Sequence, residues 1–170
     1  MHAKTGLVTF HAPVGASACN PFPVHHFRRT VVADEALVQD TPKGDDEVPV
    51  PKRGRTVTIC CARVHGPLVG GNLAALNSMA GSHDSPRFDG AILMLEDVNE
   101  YSYRVDRMPS MLKIAGVLDR VAGVLLGAFT SCEPGEGYGT LALDEVFDDY
   151  FKDPGVPASA SAQFGHITKK

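Results

Sequence analysis

From residue 56 onward the apolar positions of the chain switch between two periods. Thr56–Val64 is a run of β-branched residues and cysteine, the composition of a strand. Gly70-Gly71 then opens a segment beginning Asn72-Leu-Ala-Ala-Leu76, with Asn72 as its N-cap and Gly81 as its stop. Ala91–Glu96 is apolar without a break until its carboxylate, which predicts a buried strand. Tyr103–Ala115 carries Val105, Met108, Leu112 and Ala115 at helical spacing, and Gly116 ends it. Val121–Phe129 is apolar on both faces, the pattern of a central strand. Leu143–Phe151 is an acidic helix with Val146, Phe147 and Tyr150 turned inward and Asp144 and Glu145 in the first turn, where the helix dipole favours them. Strand and helix alternate, so this part is α/β, a layered mixture of sheet and helices.

The first third is patterned differently. Gly6–Phe10 predicts a short strand, followed by a turn at His11–Gly15. Pro23 suits a first helical turn, from which Val24, Phe27, Val31, Val32, Ala36 and Leu37 give a broken helical stripe. Residues 39–55 are charged and rich in proline and glycine, too polar to bury much surface. They predict a linker between residues 1–38, which are too few for an independent core, and a domain over 56–170. No closing strand is expected after Phe164, and both ends suggest a piece of a larger protein.

Composition narrows the function classes. Sixteen Lys and Arg stand against twenty Asp and Glu, a net charge of −4, so the clustered cations that neutralise phosphate are lacking and no nucleic-acid partner is expected. The one basic cluster, His25–Arg29, is short and interrupted by Phe27. No apolar run approaches the roughly 20 residues that span a bilayer, and Met1–Phe10 has no secretory h-region, so a cytoplasmic protein without a membrane partner is expected. Cys19, Cys60, Cys61 and Cys132 have no metal-ligand spacing and are taken as free thiols. His25 and His26 lie about 100° apart around a helix, and His2, His11, His65 and His83 have no ligand spacing, so neither metal nor cofactor is expected.

Candidate chemistry is therefore sparse. The Gly70-Gly71-Asn72 turn could present backbone N–H groups at a helix start, where an anion or a substrate carboxylate would bind, although a plain strand-to-helix turn is the stronger reading. Ser17, Ser78, Ser82, Ser110 and Ser131 lie in no G-x-S-x-G motif. Glu96 and Asp97 stand at the mouth of a buried strand, a frequent place for a site in α/β proteins. Glu96 fits an ion pair with Arg104 or Arg107, or a pair with His166 in which it orients an imidazole acting as a base.

Five segments taken in order sharpen that choice: Val69–Leu73, Leu95–Val98, Tyr103–Met108, Ala115–Arg120 and Phe164–His166. The set resembles the C-terminal domain of the LD-carboxypeptidases, or muramoyltetrapeptide carboxypeptidases, and the related microcin-immunity peptidases. Thr5–His11 and Asn20–Arg29 resemble the end of that family's N-terminal domain and its connection, so the resemblance covers nearly the whole chain. It implies a two-domain serine peptidase that removes terminal D-alanine from the L-centred residue of murein tetrapeptides during peptidoglycan recycling, often as a homodimer. By motif, Glu96 corresponds to the triad acid, with Asp97 as runner-up, and His166 to the base. Capture of the substrate carboxylate is expected of Asn72 or of the Gly70-Gly71 backbone. The family nucleophile lies in a G-x-S-D segment upstream of anything present here, and the family continues past His166 into one or more further strands. On that comparison residues 1–38 are a remnant of the N-terminal domain, and the chain alone is expected to be inactive. The alternatives are a non-catalytic module binding muropeptide or protein, and a small-ligand domain using the Gly70-Gly71 turn.

Overall fold

The computed structural model describes residues 5–10, 12, 21–33, 36, 57–60, 62–135, 141–152, 155–162 and 164–166. The chain divides into two compact units, Met1–Pro42 and Lys43–Lys170. The expected linker, 39–55, lies outside the described residues.

In the first unit, helix α1 spans Pro21–Phe27 and continues in five residues of wider, π-helical winding, Arg28–Val32. The stripe expected to face inward is exposed at Phe27, Val31 and Val32. Gly6–Phe10 forms no strand, and Leu7, Val8 and Phe10 are exposed. A strand is stable only when paired, and no partner for this segment occurs among the described residues.

The second unit is built on a five-stranded sheet in the order β1-β5-β4-β3-β2. Its strands are β1 (Val57–Cys60), β2 (Leu68–Asn72), β3 (Ile92–Val98), β4 (Gly123–Thr130) and β5 (Ala158–Ala160). Strands β2 to β5 run parallel, and β1 pairs antiparallel with β5. Helices α2 (Leu73–Met79), α3 (Ser102–Ile114) and α4 (Leu143–Phe151) make the crossovers. Because the strands advance in one direction across the sheet, crossovers of one hand place all three helices on one face. There Leu73, Leu76, Val105, Met108, Leu112, Val146, Phe147 and Phe151 pack on Leu93, Leu95, Val124 and Leu126 in a single core. Each fully buried leucine or phenylalanine contributes roughly 1.5–3 kcal/mol.

The strongly periodic elements form where the pattern put them, and β4 is the central strand of the sheet. Two strands were not expected. Strand β2 includes Gly70 and Gly71, so the glycine pair lies within a strand rather than opening a turn. Their φ angles are 144° and 137°, and a Cβ on Gly70 would sit 1.9 Å from the Met94 carbonyl oxygen. At Gly70 a side chain would run into the backbone of β3, so the position requires glycine. Strand β5 is Ala-Ser-Ala, three small residues without a β-branched signal, and it fills the place between β1 and β4.

Candidate active site

Strand β3 ends in two carboxylates that the two-residue period of a strand sends to opposite faces. Asp97 shares the helix-bearing face with Leu93 and Leu95. Its Oδ2 accepts the Ala74 N–H at 3.0 Å, and its Oδ1 accepts Asn72 Nδ2 at 2.9 Å and the Val98 N–H at 2.8 Å. Asn72 is the N-cap of α2, its Oδ1 accepting the Ala75 N–H at 3.0 Å. At the start of α2 the Ala74 and Ala75 N–H groups are therefore bonded from within the chain. Asp97 supplies the negative charge that this helix end favours. The side chain of Asn72 is committed to the same cap.

Glu96 takes the other face and is fully buried. His166, seventy residues later, places Nδ1 2.9 Å from Glu96 Oε2. The His166 side chain is otherwise more than half exposed, at 57%. An ionised Glu96 can only accept, so Nδ1 then carries a proton, and in the neutral imidazole Nε2 presents its lone pair. Arg104, considered as a partner of Glu96, pairs with Glu100 at 3.5 Å.

The approach of His166 to Glu96 has a visible cause. Ala162 and residues 164–166 lie beyond β5 beside the upper half of β4, with the Ala162 N–H bonded to the Leu126 carbonyl and the Ala128 N–H to the Phe164 carbonyl, each at 2.9 Å. The Phe164 ring rests where a side chain on Gly127 would be, 2.7–2.8 Å from its missing Cβ. Gly165, at φ 94°, passes over Glu96 so closely that a Cβ would lie 2.9 Å from Glu96 Cβ and Oε2. The Thr130 hydroxyl then donates to the His166 carbonyl at 2.7 Å. None of these supports is evident from spacing; the clue available was Phe164-Gly165 directly before the histidine.

Strain gathers at the same rim. Asn99, Ser131 and Ser161 have φ of 59°, 56° and 61°, and they follow β3, β4 and β5 in turn. Positive φ costs a non-glycine residue about 1–3 kcal/mol and is concentrated at functional sites. Cys132, buried just beyond β4, has its thiol pushed above the usual range, mainly by burial and further by the carboxylates of Asp97, Glu100 and Glu133. Among the described residues no group of three or more His, Cys, Asp or Glu could hold a metal. No helix among them is long and apolar enough to cross a membrane.

Residues 65–170 match the model of the LD-carboxypeptidase C-terminal domain. The chain belongs to the LD-carboxypeptidase family. It is 34% identical over 168 residues to a probable murein peptide carboxypeptidase of Bacillus subtilis, covering 99% of this chain and 51% of that protein. It is 32% identical over 168 residues to the murein tetrapeptide carboxypeptidase of Pseudomonas aeruginosa, covering 96% and 52%. The solved muramoyltetrapeptide carboxypeptidase of Oxalobacter formigenes superposes with a TM-score of 0.66 at 28% identity, covering 87% of this chain and 46% of that one. The chain thus spans about half the length of the curated relatives it matches.

Proposed function

We propose that this chain supplies the acid and the base of a serine-type LD-carboxypeptidase that releases D-alanine from murein tetrapeptides. The observation that carries this reading is the 2.9 Å hydrogen bond between exposed His166 and fully buried Glu96, within a chain of this family. Nε2 takes the proton of a serine hydroxyl as its oxygen attacks the carbonyl next to the terminal D-residue. It then returns that proton to the departing D-alanine amine, and water releases the acyl group by the same steps. Glu96 holds the imidazole in the correct tautomer and stabilises the imidazolium. The backbone of Gly70 and Gly71 remains the proposed contact for the substrate, with the Asn72 side chain taken up by the helix cap. The same reading places the reaction in cytoplasmic recycling of peptidoglycan.

The nucleophile in this proposal comes from outside the chain. The hydroxyls of Ser78, Ser82, Ser102, Ser110 and Ser159 bond to other partners, and the His166 imidazole bonds to Glu96. The purified chain is expected to release no D-alanine from a murein tetrapeptide, and release would overturn that assignment. A fusion carrying the N-terminal portion of the Bacillus subtilis relative is expected to release it. Glu96→Gln in that fusion lowers turnover by about 10³–10⁴-fold. An active fusion indifferent to Glu96→Gln would remove Glu96 from the mechanism. Tetrapeptide binding without release by the fusion would instead support a non-catalytic module.

A further inference from the structure

We propose that Thr130, Gly127 and Phe164 are positioning residues that clasp the main chain of His166 and so hold its imidazole on Glu96. The inference rests on the reading of His166 as the base. An exposed imidazole on an irregular segment would sample many orientations, and one hydrogen bond to Glu96 must overcome that freedom. Three contacts reduce it before the side chain is considered. The Thr130 hydroxyl fixes the His166 carbonyl at 2.7 Å, and the Ala128 N–H fixes the Phe164 carbonyl at 2.9 Å. The Phe164 ring, seated on Gly127, fixes the direction in which the segment crosses β4.

The crossing explains why β4 carries glycine here. His166 belongs to the segment extending β5, Glu96 belongs to β3, and β4 runs between them. A side chain at 127 would occupy the volume taken by the Phe164 ring. The pairing of β3 with β4 also shifts register between Leu95 and Asp97, opposite Leu126 and Phe129, so β4 bulges at 127–128 beneath the segment. Thr130 joins a β-branched residue suited to a strand end with a hydroxyl donor; valine would keep the first property and lose the second.

The test reads the imidazole directly in ¹⁵N-histidine-labelled chain, the His166 signals being assigned by their loss in His166→Gln. Wild type is expected to show an Nδ1–H tautomer with a downfield, hydrogen-bonded Hδ1 proton. Thr130→Val and Gly127→Ala are expected to lose that resonance and to revert to the Nε2–H form that free imidazole prefers, and Thr130→Ser is expected to restore it. If Thr130→Val and Gly127→Ala unfold at lower temperature yet keep the wild-type signature, their role is structural and the proposal falls. Turnover is not needed for this readout. An inactive fusion with an intact signature would therefore overturn the peptidase reading and leave the clasp standing.

Discussion

Replacing Asp97 by asparagine keeps the volume of the side chain and exchanges one oxygen for an NH₂ group. Three donors converge on that carboxylate, Asn72 Nδ2 and the Val98 and Ala74 N–H groups, and the residue is 2% exposed. The amide oxygen does best at the Oδ1 position, where it retains two donors, and the NH₂ then faces the Ala74 N–H. One hydrogen bond to a charged acceptor is lost, about 1.5–3 kcal/mol, and a helix-terminal N–H is left facing another donor. Loss of the charge at the start of α2 adds about 0.3–1 kcal/mol. Together these come to roughly 2–4 kcal/mol, a large part of a domain stability of about 5–15 kcal/mol. Urea unfolding followed by far-UV circular dichroism should show the midpoint falling by about 1–2 M, for a slope of roughly 2 kcal/mol/M. Glu96→Gln keeps an acceptor for His166 and is expected to lose less than about 1.5 kcal/mol. A loss under about 0.5 kcal/mol for Asp97→Asn, or a reversed order of the two variants, would refute the division of labour between these neighbours.

Other expected outcomes follow from single features. Gly70→Ala puts a Cβ 1.9 Å from the Met94 carbonyl oxygen at φ 144°, so it should destabilise by more than about 3 kcal/mol, and a folded variant with an unchanged urea midpoint would contradict the close approach of β2 and β3. Ser131→Gly relieves a positive φ of 56° and should raise stability by up to about 1 kcal/mol, while a lower melting temperature would show that the hydroxyl matters more than the backbone. Cys132, buried and with its thiol pushed upward, should resist iodoacetamide at pH 8 in the folded chain and react on unfolding, as peptide mass mapping would show. Burial raises the Tyr150 hydroxyl as well, so the folded state holds both protons more tightly than the unfolded one. Stability from these two groups is complete below the ordinary thiol range, about 8.5, and falls as pH rises through their folded values. A urea midpoint higher at pH 10 than at pH 8 would contradict that sign.

Elements with a clear period were legible in the sequence, and those shaped by neighbours were not. Helix α4 forms over Leu143–Phe151 as its apolar spacing required, and β4 takes the central place that its two apolar faces called for. Strand β2 was hidden because its glycines signal a turn locally and serve a close strand pair globally. Strand β5 was hidden because Ala-Ser-Ala has no propensity of its own and is held by β1 and β4. In the site, Glu96 and His166 were named by motif, since seventy residues of separation carry no periodic signal. The roles of Gly127, Gly165 and Thr130 depend on which segment crosses which, and spacing alone does not encode that.

The opposed carboxylates of β3 tie the accuracy of the site to the folding of the chain. Slipping β3 by one residue would turn Glu96 toward the apolar core beneath the helices and bring Leu95 or Asp97 under His166. The same slip would strip the cap from α2 and leave a charge buried among leucines. A misaligned site is therefore also a misfolded protein, and the two errors cannot be made separately. Quality control that recognises only unfolded chains would, for this strand, also proofread the placement of the acid.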